Sequence, residues 1–235
     1  GFSHKPPTGT YKLYNSASSA KFEGEITMDK NGIHAQGELS HLTAVMQAKD
    51  ILFTPDSLIA TGTNGEIKEG ASGKAFFPKV DVKNFSLKWV PKADSMTIAN
   101  KGGSFDFYNA TTKLSGKLLV RSLGLFGFGT VKRTDSETIS DRFKFDKSSF
   151  LAEKAEFKIG SSLTVSKPVL LGNNVDVNFN VAGGLVNIKT AKNLSMADSS
   201  GLTFPFASYR TSINSADWNI NAKTIGEAAI TPLFG

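Results

Sequence analysis

The chain has 235 residues, 40% of them hydrophobic and 20% charged, and no Cys; this globular composition is long enough to bury a core and excludes disulfides, thiolate metal sites and cysteine nucleophiles. The net charge is +6, yet the Lys and Arg are scattered singly, with no cluster or recognition motif, so nucleic acid is not an expected partner. No stretch approaches the roughly 20 apolar residues that cross a bilayer as a helix.

The N-terminal Gly1-Phe-Ser-His-Lys-Pro-Pro7 has no signal-peptide character. Phe22 to Met28 alternates, then turns at Asn31-Gly32. Leu42 to Lys49 has roughly helical spacing and reads as a variable loop or edge. Ile51 to Phe53 is apolar before the turn at Pro55-Asp56-Ser57, and Val80 to Trp89 alternates unevenly up to Pro91. Lys117 to Val120, Gly124 to Val131, Arg142 to Phe145 and Phe150 to Ile159 continue the series. Thr134 to Asp141 is polar and reads, like Leu42 to Lys49, as a variable loop or edge. Val175 to Val181 alternates strictly. Short alternating segments with closely spaced turn signals predict an all-β protein. The 18 Phe, many at period two as in Phe105-Asp106-Phe107 and Phe143-Lys144-Phe145, suit a pleated, half-buried surface.

Two of these stretches are copies. Residues 21–68 lie over residues 113–160 without a gap, at an offset of 92 (Gly24 to Gly116). Gly24, Gly32 and Gly37 fall on Gly116, Gly124 and Gly129, and Phe53, Ala60 and Ile67 on Phe145, Ala152 and Ile159. Leu13-Tyr14-Asn15 resembles Phe107-Tyr108-Asn109. Residues 80–87 resemble residues 175–181 at an offset of 95 (Val80 to Val175). A fixed offset marks stacked units, each unable to bury its apolar face alone. The expected architecture is a β-solenoid or an elongated β-roll or jellyroll, with bulky residues of the Gly-rich strands reaching inward and Gly at the corners. Residues 1–235 are expected to form one elongated domain of about two and a half periods, a segment of a larger protein.

The string Tyr108-Asn-Ala, Leu114-Ser-Gly116-Lys-Leu, Gly124-Leu-Phe-Gly-Phe-Gly129, Phe143-Lys-Phe145 and Phe150-Leu-Ala-Glu-Lys-Ala-Glu-Phe157 resembles long β-repeat cell-envelope proteins of Bacteroidetes-type bacteria. Its general grammar is similar to the β-jellyroll modules of the lipopolysaccharide-transport bridge and of AsmA-like proteins. The resemblance implies a bacterial periplasm, outer membrane or surface location, and an apolar lining that holds acyl chains.

Individual sites are sparse. Gly124-x-x-Gly127-x-Gly129 lies between strands rather than before a helix, so it is no dinucleotide fingerprint. Gly70-Ala-Ser-Gly73-Lys74 lacks the P-loop spacing. His4, His34 and His41 have no carboxylate completing a metal pattern, and on a continuous strand His34 and His41 face opposite sides. Asp135, Glu137 and Asp141 with Arg142 form the densest acidic stretch and raise the prospect of a polysaccharide-active β-helix enzyme, but the first copy does not reproduce it. Asn84, Asn109 and Asn193 begin formal glycosylation sequons. Trp89, Tyr108, Tyr209 and Trp218 are candidate ligand or partner contacts, with Tyr14 and Tyr108 recurring in phase. The expected function is a non-enzymatic structural or binding module; the alternatives are a lipid-transfer module and, behind it, the enzyme. No cofactor or metal is expected. Candidate partners are lipid, polysaccharide, another envelope protein or neighbouring repeats.

Overall fold

The computed structural model of the chain describes residues 9–14, 20–160, 169–191, 194, 199–205, 209–213, 215–221, 224–226 and 230–231. The chain is all-β. It divides into two compact units, one of Gly1–Phe107 with Gly116–Phe126, the other of Tyr108–Ser115 with Gly127–Gly235. Every strand pairing among the described residues is antiparallel.

In the first unit, β1 (Gly9–Lys12), β2 (Lys21–Asp29), β3 (Gly32–His41), β4 (Ala44–Phe53) and β5 (Leu58–Ile67) pair in chain order. β6 (Gly70–Ser72) and β7 (Ala75–Phe77) form a small separate hairpin. β8 (Val80–Val90) pairs with β5, and its far edge is shared: β9 (Ser95–Asn100) takes Phe85–Val90 and β10 (Phe105–Phe107) takes Val80 and Asp81. A 3-10 turn, Pro91–Ala93, links β8 to β9. β9 then pairs with the second half of β11 (Thr112–Arg121).

β12 (Gly124–Lys132) follows β11 in the chain. In the second unit, β13 (Ser136–Phe145), β14 (Ser149–Ile159) and β15 (Leu170–Asn180) pair in order. The far edge of β15 is again shared, by β16 (Leu185–Thr190) and β17 (Gly201–Phe204). β16 continues to β19 (Ser215–Asn219) and β20 (Thr224–Gly226), and β17 to β18 (Tyr209–Ile213) and β21 (Ile230–Thr231).

Strand bounds follow the 92-residue offset. β4 begins at Ala44 and ends at Phe53; β13 begins at Ser136 and ends at Phe145. These two strands correct the loop expectation for Leu42–Lys49 and Thr134–Asp141. Their period-two pattern was hidden because all but one of the inward positions are small or polar: Ala44 and Ala48 on either side of Met46 in one, Ser136, Thr138 and Ser140 in the other, all buried. Ser140 is satisfied at an irregularity in the ladder, where its hydroxyl donates to Glu153 O at 2.6 Å and accepts from Arg142 N at 3.0 Å, so burying it carries little desolvation cost.

The pairing of residues 80–87 with residues 175–181 also shifts. Val80 lies opposite Ile67 and Trp89 opposite Leu58, while Leu170 lies opposite Ile159 and Phe179 opposite Phe150. Equivalence across the ladder therefore runs from Val80 to Leu170, an offset of 90 rather than 95. The backbone agrees: Asn84 and Asn174 both take positive φ, 49° or less, and their carbonyls accept from Lys101 N and Ala191 N at 2.6 and 3.2 Å. Asn tolerates the left-handed region better than most residues.

The glycines shared by the copies are not all corner residues. Gly24 and Gly37 face one another within the β2–β3 ladder. A Cβ on Gly37, at φ +148°, would stand 2.2 Å from Glu23 O, so only glycine lets the two strands approach there. Nor do all the bulky residues of the Gly-rich strand point inward. Leu125 is fully buried, but Phe126 and Phe128 lie half-buried on the opposite face.

Each unit carries an aromatic core. In the first, Phe22, Phe85, Trp89, Phe105 and Phe107 have no accessible surface. In the second, Phe143, Phe145, Phe150, Phe157 and Phe179 are at most 2% exposed, with Phe150 stacked on Phe179 at 4.9 Å between ring centres. Burial of large aromatic surfaces is the chief favourable term for sheets of this kind.

Candidate functional site

The side chains with the most chemistry gather at the β3–β4 turn and its equivalent before β13. His41 ends β3, is 1% exposed and lies 5.1 Å from the Trp89 ring. Neither of its ring nitrogens has a hydrogen-bond partner, and the buried hydroxyl of Thr43 also lacks one. The neighbouring positions are Ala20 and Ala44, both buried and unable to donate or accept through their side chains. Burial holds the His41 pKa below the ordinary imidazole value, with Asp94 pulling the other way. At neutral pH His41 is an uncharged ring.

The second copy fills the same positions with a satisfied network. Arg133 stands where His41 does, with its guanidinium 4.7 Å from the centre of the Phe179 ring, and Phe179 is the counterpart of Trp89. Arg133 Nε donates to Asp135 Oδ1 at 3.3 Å and one terminal nitrogen donates to Thr112 Oγ1 at 2.6 Å. The Ser136 hydroxyl donates to Asp135 Oδ1 at 2.7 Å. Asp135, Thr112 and Ser136 replace Thr43, Ala20 and Ala44. One fold position thus holds a cation-aromatic pair with all its partners in the second unit and an unpartnered imidazole in the first. The sequence marked His41 and Asp135 separately; only alignment of the two copies position by position brings them to one place.

The candidate aromatics have structural neighbours. Trp89 has no accessible surface and Trp218 is 6% exposed. Tyr108 takes positive φ, and its hydroxyl donates to Asp146 O at 2.9 Å and Ser149 O at 2.6 Å, the two ends of the β13–β14 turn. Tyr14, also at positive φ, does the same for the β4–β5 turn, donating to Thr54 O at 2.9 Å and to Ser57 O. Burial raises the pKa of both phenols. The Tyr209 backbone belongs to β18, and its side chain lies outside the described residues.

The acidic stretch does not converge. Asp135 faces Arg133; Glu137 is flanked by Lys132 at 3.6 Å and Lys158 at 3.4 Å; Arg142 pairs with Glu153 at 3.7 Å, and Asp141 is exposed. His34 faces outward between Asp29 at 3.9 Å and Asp50 at 3.7 Å, while His4 lies outside the described residues. Among the described residues no three His, Asp or Glu side chains are grouped to hold a metal ion. Gly70–Lys74 forms β6 and the turn that leads into β7. Asn84 is on β8, Asn109 follows β10, and Asn193 lies outside the described residues. No helix among the described residues is long and apolar enough to cross a membrane. Comparison with family models, curated proteins and solved structures finds no match to this chain.

Proposed function

We propose that the chain is a non-enzymatic, repeat-built β-roll module that serves as a spacer or binding scaffold in a bacterial envelope or surface protein. The observation that carries this reading is the use made of its most distinctive side chains. Tyr14 and Tyr108, equivalent in the two copies, each hold the two ends of one turn. Most of the described Phe side chains are spent on buried faces, Phe126 and Phe128 being among the exceptions, which favours a filled core over an apolar lining open to acyl chains. Succession of antiparallel strands in chain order favours a roll over a parallel solenoid.

The test is native mass spectrometry of the purified chain with organic extraction. A scaffold releases no stoichiometric lipid and unfolds cooperatively. An acyl chain bound at one or more equivalents per chain would replace this reading by the lipid-transfer one. Polysaccharide cleavage abolished by Asp135→Asn, Glu137→Gln and Asp141→Asn together would replace it by the enzyme.

A further inference from the structure

Three strands occupy equivalent places: β2 and β11 through the 92-residue offset, and β19 because it pairs with β16 as β11 pairs with β9, β16 and β9 being the corresponding partners of β15 and β8. The inward residues of β11 and β19 are covered by a strand on their outer edge. β9 runs antiparallel to β11, setting Ile98 opposite Leu118 and Met96 opposite Val120. β16 runs antiparallel to β19, setting Ile188 opposite Ala216 and Val186 opposite Trp218. Leu118 and Val120 have no accessible surface, and Ala216 and Trp218 have little.

β2 differs. Its outer edge is paired with β1 over Lys21–Gly24. Ile26 and Met28, the counterparts of Leu118 and Val120, have no such strand beside them among the described residues. Met28 is 71% exposed, and its hairpin partner Ile33 is 43% exposed where the equivalent Leu125 is fully buried. Edge backbone beside an alternating apolar row is a template for another strand.

We infer that the Ile26–Asp29 edge of β2 is a docking site for an antiparallel strand of the β9 type, supplied by another repeat unit. The occupant is defined by chemistry: Met, Val or Ile at alternate positions on the side facing Ile26 and Met28, and Ser, Thr, Asn or Lys on the other. Ser95-Met-Thr-Ile-Ala-Asn100 and Leu185-Val-Asn-Ile-Lys-Thr190 carry that pattern, with Ala99 and Leu185 the exceptions on the outward side. Main-chain hydrogen bonds hold such a strand, and the two inward side chains set its register. The inference rests on the repeat-module reading and names its partner.

A fluorescein-labelled peptide of residues 92–102 is titrated into the full chain by anisotropy, with hydrogen exchange read at Ile26–Asp29. Saturable binding is expected. It is weakened at least about tenfold by Met28→Lys, a substitution at an exposed position that leaves the fold intact, and is absent for a scrambled peptide. Those amides of Ile26–Asp29 that point away from β3 gain protection only when the peptide is present. No binding up to about 1 mM, or equal binding to the Met28→Lys chain, overturns the inference. So does protection of these outward-pointing amides in the free monomer, which would give the edge to the chain's own residues 1–8. Concentration-dependent dimerisation that the peptide does not reverse would give it to a second copy. None of these results alters the lipid measurement, so the two proposals fail separately.

Discussion

His41→Phe is expected to stabilise the protein, although it removes a polar residue from a turn region. His41 is 1% exposed, and both ring nitrogens are buried without a partner. Each unsatisfied buried group costs about 1–3 kcal/mol relative to water. Phe keeps the ring against Trp89 and removes both groups, while its slightly larger ring costs about 1–3 kcal/mol in strain. The expected net gain is about 1–3 kcal/mol at pH 8, or a few degrees in Tm for a chain of this size. The pH dependence sharpens the test. The folded pKa of His41 lies below that of the unfolded chain, so the native state refuses a proton that the unfolded state accepts. Stability is full above the unfolded value near 6.5 and falls as pH drops below it, by up to about 1.4 kcal/mol per unit, until the folded pKa is reached. Urea unfolding of both proteins at pH 8, 7, 6 and 5 isolates the imidazole, because carboxylate titration is common to the two. A His41→Phe chain less stable than the parent at pH 8 would refute the packing argument. Equal losses for the two proteins between pH 7 and pH 5 would refute the assignment of a neutral, isolated ring.

Arg133→Met should have the opposite sign: it strands Asp135 and Thr112 in a partly buried network and is expected to cost about 2–4 kcal/mol in chemical denaturation, and a change under about 0.5 kcal/mol would show the network to be dispensable. Tyr108→Phe removes the hydroxyl bonded to Asp146 O and Ser149 O and is expected to cost about 1–2 kcal/mol. Because burial raises the folded pKa of Tyr108, its contribution is present below the unfolded value near 10 and disappears as pH rises beyond it, which unfolding at pH 8 and 11 checks against the Phe variant. Gly37→Ala places a methyl 2.2 Å from Glu23 O and is expected to lower stability by about 2 kcal/mol or more, whereas Gly70→Ala, with nothing within 4 Å of the added carbon, should change it by less than about 0.5 kcal/mol; similar Tm values for both variants would remove the close-approach argument.

The all-β class and most strands were legible because period-two alternation and turn residues act locally. The offset of 92 placed β2 to β5 and β11 to β14 in matching spans, since identical spacing of Gly and apolar residues leaves the same backbone solutions open. The first parts of β4 and β13 were missed because their inward Ala, Ser and Thr carry little hydropathy signal; burial of such residues depends on what packs above them. The register of β15 was misread because Val80-Asp-Val and Val175-Asp-Val look alike, and only cross-strand pairing showed that Val80 corresponds to Leu170.

By itself the sequence determined the class, the paired segments and the absence of thiol chemistry, all properties of residue type and spacing. Tertiary structure alone decided which residues meet. Tyr14 and Tyr108 became turn anchors by bonding carbonyls some forty residues away in sequence. His41 lost its partners because Ala20 and Ala44 surround it where Thr112 and Ser136 complete the equivalent network around Arg133. Met28 remained exposed because burial of a strand's inward row depends on a neighbouring strand, and that neighbour is a property of the fold rather than of the strand's own residues.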